Sequence, residues 1–219
     1  MDQKTKKVAV IVAHPDDETL WAGGTILSNP FWDCFIISLC RKSDPDRSPK
    51  FDKVLKILGA KGNMGDLDDG PEQIPLAENE VEEAILQLLP STCFELVITH
   101  SIHGEYTRHR RHEETGRAVI NLWHSNKLTT NELWAFSYED GNREYYPKAI
   151  EEAPVGHLLS RELWEMKYNI ITSAYGFDVN SWEAKTTPAQ EAFWHFHNAD
   201  EAYQWSVTGG KNYESFIIV

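Results

Sequence analysis

Cysteine is scarce in this chain of 219 residues, which contains only three. An odd number cannot pair completely, and no two of them have the CxxC spacing. The chain therefore lacks the disulfide framework of a small secreted protein. We expect Cys34, Cys40 and Cys93 to be reduced and buried, as small apolar residues of an intracellular protein.

Positive charge and long apolar runs are also in short supply. The 21 Lys and Arg residues are outnumbered by 34 Asp and Glu residues, which gives a net charge of −13. This charge disfavours nucleic acid or an anionic membrane surface as a partner and favours a neutral small molecule. No apolar run approaches the ~18 residues of a membrane span, and the charged start, MDQKTKK, has no secretory hydrophobic region. The expected location is the cytoplasm, and the sequence does not indicate an oligomeric state.

What the chain does contain is an alternation of apolar strands with amphipathic helices. Strands are predicted over residues 8–13, 34–40 and 94–99, and helices over 18–27, 50–58 and 76–89. This alternation predicts βαβ units over residues 1–125, and therefore an α/β fold with a mostly parallel sheet. Residues 62–75 are predicted to form a functional loop.

The remaining residues, 126–219, are less regular and are expected to complete a single domain spanning 1–219. A strand is predicted over 133–138 and a helix over 160–175. The inward side of that helix is expected to carry Leu163, Met166, Tyr168, Ile170 and Ile171.

Two polar clusters follow apolar strands. The first is His14-Pro15-Asp16-Asp17-Glu18, and the second covers residues 100–114 with several histidines. Because right-handed crossovers bring the carboxyl ends of parallel strands to one edge, we expect His14 to lie near the histidines around residue 110. Ligands of open α/β sheets bind at that edge.

These clusters have the chemistry of a metal-dependent hydrolase. His14 and Asp17 are close enough in sequence to bind one ion, while Asp16 between them could take a proton from a water molecule. His109 and His112 are three residues apart on one helical face, so that one could be a third ligand and the other could contact the substrate. The residues alone do not decide between the two. Taken separately, the clusters could also be a helix N-cap and a solvated charged face.

The string AHPDDE at residues 13–18, followed by Gly23-Gly24, resembles the zinc-dependent N-deacetylases of the PIG-L/LmbE-like family. His109-Arg110-Arg111-His112 matches the HxxH motif of that family. The resemblance implies a three-layer Rossmann-like domain that removes acetyl groups from N-acetylglucosamine derivatives. It also implies that His14, Asp17 and His112 bind Zn²⁺, that Asp16 is the general base, and that His109 stabilises the oxyanion or acts as an acid.

The resemblance further suggests substrate contacts for an N-acetylated amino sugar. Its candidates are Arg47, with Arg41 as an alternative, Asp66, with Asp68 as an alternative, and Tyr106. Arg110 and Arg111 replace family residues and are expected to be solvated, while His100 and His103 have no assigned role. Iron or cobalt could replace zinc in such a site, and the aglycone is open.

Two other functions remain possible. One is a metal-dependent amidase that acts on a sugar conjugate, and the other is a sugar-binding module without catalysis. A Rossmann-type nucleotide binder is disfavoured, because HPDDE stands where GxGxxG would be required.

Overall fold

The computed structural model describes residues 5–210; residues 1–4 and 211–219, at the ends of the predicted domain and including part of the charged start, lie outside them. The strands are β1 (Lys6–Val12), β2 (Trp32–Ser38), β3 (Lys61–Met64), β4 (Leu96–Thr99), β5 (Glu132–Phe136), β6 (Tyr138–Glu139), β7 (Lys148–Ala149), β8 (Val155–Leu158) and β9 (Gln190–Phe196). The helices are α1 (Asp17–Leu27), α2 (Arg47–Leu58), α3 (Glu78–Leu88), α4 (Arg110–His124), α5 (Arg161–Asn169), α6 (Trp182–Thr186) and α7 (Ala199–Val207). A π-helical turn, Ile170–Ala174, continues α5.

Within residues 5–210, seven strands form the central sheet, in the order β3-β2-β1-β4-β5-β9-β8. The first five are parallel, whereas β9 runs antiparallel to β5 and to β8. β6 and β7 form a separate two-stranded sheet. The predicted α/β class with a mostly parallel sheet is confirmed.

Strand β1 lies at the centre of the sheet and is buried on both faces. Val8, Val10 and Val12 pack into one apolar core, together with side chains of α1 and α2. Ala9 and Ile11 pack into a second core on the other face, with side chains of α3, α4 and α7. A strand buried on both sides must be apolar at successive positions, which explains the unbroken run in the sequence. The molecule therefore has three layers, with helices on both faces of the sheet.

The predicted helix 160–175 is observed as α5 followed by the π-helical turn. Three other predictions about local structure were wrong. The predicted loop 62–75 begins inside β3. In α5, Met166 is exposed and Lys167 is fully buried, because Lys167 pairs with a buried carboxylate on β9. Cys34 and Cys40 are buried as expected, but Cys93 is exposed; none of the three is in a disulfide.

Among residues 5–210, no helix combines the length and the apolar character that a membrane crossing requires.

Candidate metal centre and active-site cleft

The candidate site lies where the strand order reverses. β1 pairs with β2 on one side and with β4 on the other, and the chain leaves β1 and β4 at the same edge. The turn after β1 carries His14, Asp16 and Asp17, and the segment after β4 leads to His109 and His112 at the start of α4. The expected meeting of the two clusters is therefore observed, at the switch point where open α/β sheets bind ligands.

The turn after β1 is held in an unusual conformation. Asp16 has a φ of 130°, which side chains other than glycine rarely adopt. Its backbone N–H donates to the carboxylate of Glu18 at 3.1 Å, and that carboxylate also accepts from Tyr175 Oη at 2.7 Å. Glu18 is fully buried, and burial raises its pKa. The Glu18 side chain thus stabilises the turn through these hydrogen bonds and does not line the cleft.

Three ligand atoms from the two clusters form a nearly equilateral triangle. His14 Nδ1 lies 3.1 Å from Asp17 Oδ2 and 3.2 Å from His112 Nε2, and His112 Nε2 lies 3.3 Å from Asp17 Oδ2. In a tetrahedral zinc site with bonds of about 2.0–2.1 Å, neighbouring ligand atoms are about 3.3–3.4 Å apart. The spacing and the two-nitrogen, one-oxygen donor set fit a zinc ion with one open position.

A buried carboxylate fixes the orientation of the His112 ring, and a second carboxylate lies beside the His14 ring. His112 Nδ1 donates to Glu105 Oε2 at 2.6 Å, which leaves the lone pair of Nε2 directed at the triangle. His14 Nε2 lies 3.1 Å from Asp69 Oδ1, on the ring side away from the triangle. Such carboxylate–histidine pairs are the usual outer support of metal-binding histidines.

Glu105 is the centre of a buried network. It is fully buried and also accepts from His100 Nδ1 at 2.8 Å and from the backbone N–H of Ser101 at 3.1 Å. Burial alone would raise its pKa, but the electrostatic interactions and hydrogen bonds with His100 and His112, which both donate to its carboxylate, outweigh burial and hold the pKa at about 2. Glu105 is therefore ionised at neutral pH. His100 accepts from the Ala13 N–H at 3.0 Å and stacks on His112 at 4.0 Å, which joins β1 to β4.

The two neighbouring aspartates have opposite proton affinities. Burial and the charge of Asp17 raise the pKa of Asp16 well above its usual range, although Arg47 opposes them. Burial also disfavours the charged form of Asp17, but His112 and His100 outweigh it and lower the pKa of Asp17. One carboxylate is thus suited to remain a ligand, and the other to accept and return a proton.

The His109 ring packs against the two histidines of the triangle. Its ring stacks on His112 at 4.5 Å and meets the edge of His14 at 4.6 Å. Burial, together with the charges of His112 and His14, lowers the pKa of His109 to about 3. The ring is neutral at pH 7, and its buried Nδ1 has no hydrogen-bond partner within the described residues.

A cavity of about 230 Å³ opens beside the triangle. Its wall includes Asp16, Arg47, Tyr106, His109 and Trp182. Arg47 Nη1 donates to Asp16 Oδ2 at 3.2 Å, and the guanidinium lies over the Phe177 ring at 4.4 Å. The cavity wall therefore includes the predicted ligands His14 and Asp17, the predicted base and two of the three predicted substrate contacts. The third predicted ligand, His112, is fully buried and does not line the cavity.

The third predicted substrate contact lies elsewhere. Asp66 is exposed, does not line this cavity, and accepts from the Ser43 N–H at 2.7 Å. Asp69 lines it instead, held by the guanidinium of Arg41 and by Gln73 Nε2 at 2.9 Å. The sequence offered three aspartates within four residues and no periodicity to choose among them.

The expectation that Arg111 is solvated was wrong. Arg111 is only 2% exposed; its guanidinium contacts the carboxylate of Glu114 and donates to the backbone carbonyl of Ile74 at 2.7 Å. It also donates to the backbone carbonyl of Asp68. Arg111 therefore anchors the loop that carries Asp69 to the helix that carries His112. Arg110, by contrast, is partly exposed.

Gly116 sets the approach of α4 to the segment after β4. A Cβ atom at this position would lie 2.5 Å from the carbonyl oxygen of His100. Because no side chain fits there, glycine permits the close contact that places His112 against Asp17.

Sequence reasoning missed Glu105, Asp69 and His100. Glu105 had no detectable signal, since a lone glutamate in a polar loop is ordinary. His100 directly follows a buried strand and could have been singled out on that ground, as His14 was.

Comparison with known proteins gives limited sequence similarity. No family model matches the chain. One curated relative, the uncharacterized protein L374 of Acanthamoeba polyphaga mimivirus, is 21% identical over 157 residues, which cover 65% of this chain and 67% of the relative.

Solved structures resemble the whole fold. The N,N'-diacetylchitobiose deacetylase of Pyrococcus horikoshii is 16% identical with a TM-score of 0.66, and the match covers 89% of this chain and 85% of that one. GalB, the 4-carboxy-2-hydroxymuconate hydratase of Pseudomonas putida KT2440, is 17% identical with a TM-score of 0.58, and covers 83% of each chain. A zinc-inhibited form of the teicoplanin deacetylase Orf2 is 14% identical with a TM-score of 0.57, and covers 82% and 88%. This chain therefore has the Rossmann-like α/β fold that these deacetylases and this hydratase share.

Proposed function

We propose that the protein is a metal-dependent N-deacetylase, with Zn²⁺ as the ion and an N-acetylglucosamine-type amino sugar or glycoconjugate as the substrate. The observation that carries the proposal is the triangle of His14, Asp17 and His112, with Asp16 in the wall of the same cavity. The fold shared with an N,N'-diacetylchitobiose deacetylase and a teicoplanin deacetylase supports it. A cytoplasmic location belongs to the same proposal.

The ion would supply Lewis-acid chemistry, lowering the pKa of a water molecule toward ~7 and polarising the amide carbonyl. Asp16 takes the proton of the attacking water. Its raised pKa makes it a stronger base than an ordinary aspartate. Arg47, bonded to Asp16, holds the carboxylate in place and limits that rise.

His109 and Tyr106 act at the carbonyl oxygen. A neutral imidazole can donate an N–H to a developing oxyanion without competing for the proton on Asp16. The ring centroids of Tyr106 and His109 are 5.9 Å apart. Tyr106 keeps its hydroxyl proton, because burial raises its pKa. Asp16 then returns its proton to the leaving amine, giving acetate and a free amino sugar.

The other side of the cavity would bind the sugar. Arg41 and Asp69 present charged hydrogen-bonding groups there, and Trp182 offers an aromatic face next to Tyr106 at 4.7 Å. Aromatic faces and charged hydrogen-bonding groups are the usual means of holding a sugar ring in one orientation.

The test is acetate release by the metal-loaded protein from N-acetylglucosamine, diacetylchitobiose and N-acetylglucosaminides with different aglycones. Zn²⁺, Fe²⁺ and Co²⁺ are each supplied, and the amine product is identified. We expect acetate and amine in equal amounts from at least one substrate. Metal-loaded, folded protein that releases acetate from none of them contradicts the proposal.

The same experiment separates the alternatives. A metal-dependent amidase would release a larger acid from sugar conjugates carrying longer acyl groups, but no acetate. A sugar-binding module would bind the sugars and release neither acetate nor amine. Because the fold also occurs in a hydratase, the identity of the broken bond must come from the products.

A further inference from the structure

A second group of metal-binding side chains lies at the edge of the sheet opposite the cleft. Glu132 begins β5, His195 is near the end of the antiparallel strand β9, and His197 follows it. Parallel strands begin at this edge, whereas His14 and His112 lie where they end. One ligand atom from each of the three residues lies within 4.8 Å of the others.

The sheet itself brings the three side chains to one face. His195 and His197 are two residues apart, and alternate residues of a strand share a face. Leu133 pairs with Phe196 across the antiparallel ladder, so that Glu132 faces His197 one position further along. His195 Nε2 lies 3.0 Å from Glu132 Oε2, and the two imidazole rings are 4.1 Å apart.

We propose that Glu132, His195 and His197 bind a divalent transition metal ion, Zn²⁺ in the first instance. Two imidazoles and one carboxylate suit zinc, copper or nickel better than calcium or magnesium, which prefer oxygen ligands. The site is separate from the cleft, so the proposal does not depend on the deacetylase function.

Neighbouring groups hold the carboxylate in position. Lys6 Nζ lies 3.1 Å from Glu132 Oε1, and Trp134 Nε1 donates to Oε2 at 3.3 Å. Lys6 thus pairs with Oε1 of Glu132, while Oε2 of the same carboxylate faces His195. Outer partners of this kind orient metal ligands.

An ion here would join β5 to β9. In the described part of the chain, β9 is joined to the parallel strands by its pairing with β5. It also carries Glu191, whose carboxylate accepts from the N–H of Gly24 in α1. Binding to the native state alone stabilises it. The ion would therefore strengthen the attachment of the C-terminal part of the sheet.

The experiment is calorimetric titration of the metal-free full-length chain with Zn²⁺. If the cleft also binds Zn²⁺, the wild type takes about two equivalents, and His112→Ala and His197→Ala each take about one. His157→Ala, an exposed histidine on the neighbouring strand β8, is the matched control and keeps the wild-type number. If the cleft binds none, the wild type and His112→Ala take about one, and His197→Ala takes none.

A second readout guards against misfolded variants. Zn²⁺ should raise the Tm of His112→Ala, and should not raise that of the protein carrying both His112→Ala and His197→Ala. Equal Zn²⁺ stoichiometry in wild type and His197→Ala, with both proteins folded, overturns the proposal. Loss of one equivalent in His157→Ala also overturns it, since binding would then involve a different set of residues.

Discussion

Asp16 and Asp17 are adjacent in sequence, yet the turn after β1 gives them different surroundings. Asp17 is 4% exposed and accepts from the His14 N–H at 2.9 Å and from Trp21 Nε1 at 3.1 Å. Asp16 faces the cavity and Arg47. The two carboxylates therefore have different partners, which is the separation of ligand from base that the proposed chemistry needs.

Asp16→Asn should therefore remove activity without removing the metal. An amide cannot take the proton of water, and a general base contributes about 10²–10⁴-fold to the rate. We expect kcat to fall by at least about 100-fold while Zn²⁺ content stays at the wild-type level. Asp66→Asn, outside the cavity, serves as the control and should keep kcat. Loss of the metal in Asp16→Asn would show that Asp16 is a ligand.

Glu105→Gln tests the support of His112. An amide can accept only through its oxygen and bears no charge, so both His112 and His100 lose a charged partner. Removing such an outer partner weakens metal binding by about 10–100-fold. Competition titration of Zn²⁺ against a chelator measures the change, with Glu82→Gln, on α3, as the control. Unchanged affinity would mean that the Glu105 bond does not orient His112.

The low pKa of Glu105 also predicts acid sensitivity of the metal-free protein. The pKa is about 2 in the folded state against an ordinary value of 4.5. Because folding lowers the pKa of Glu105, the ionised carboxylate stabilises the folded state. This stabilisation is complete above the ordinary pKa and is lost as pH falls toward 2. The full loss is on the order of 3 kcal/mol.

Urea unfolding at a series of pH values between about 5 and 3 measures this loss. Burial raises the pKa values of Asp16 and Glu18, so their protonation favours the folded state as pH falls. The effect of Glu105 is therefore isolated by comparing wild type with Glu105→Gln. The variant should show the shallower decline in free energy of unfolding. Parallel curves would contradict the assigned pKa.

At the level of elements, α1 is fastened to β9 and α5 by a buried ion pair. Lys167 Nζ lies 2.8 Å from Glu191 Oε1, and both side chains are fully buried. Glu191 also accepts from the N–H groups of Gly24 and Thr25, at 2.8 and 2.7 Å. The pair thus connects the helix that follows the HPDDE turn to the antiparallel part of the sheet.

Lys167→Met should destabilise the protein by about 3–5 kcal/mol, because it leaves the charge of Glu191 buried without a partner. Urea unfolding measures the change, and Lys56→Met, an exposed lysine on α2, should change stability by less than about 0.5 kcal/mol. A loss below about 1 kcal/mol for Lys167→Met would show that Glu191 takes up a proton or another partner.

These elements also show what the sequence could predict. The buried positions of β1 and β4 are apolar except for Thr99 at the end of β4, and the pattern indicated both strands within two residues of their observed bounds. β9, QEAFWHF, contains Glu191, Trp194 and His195, so that no alternation marks it as a strand. Its polar residues find partners far away in the chain, such as Lys167 24 residues before Glu191. Pairings of that kind are decided by packing, which a local pattern does not contain.

The same distinction applies to the candidate site. The HPDDE and HxxH motifs are local and could be found by their spacing. Asp69 and Glu105 could not, because their roles depend on the path of a loop that Arg111 anchors and on a carboxylate buried between two histidines. The predicted roles of the motif residues themselves remain predictions.

For the whole molecule, the switch point makes metal binding and folding interdependent. The triangle combines the turn after β1 with the start of α4, whose residues are 98 apart at the His14–His112 contact. An ion bound there would join the two halves of the parallel sheet. The native state alone can bring these atoms together, so the ion would stabilise it by mass action.

Metal removal should accordingly lower thermal stability. With Zn²⁺ at about 100 times its Kd, binding adds about 2.7 kcal/mol, which corresponds to a rise in Tm of roughly 5–10 °C for a chain of this length. The measurement uses the His197→Ala protein, so that the second proposed site does not contribute. Calorimetric scans with Zn²⁺ and with a chelator give the shift. His112→Ala in the same background should abolish it, and an equal shift there would place the stabilising ion outside the triangle.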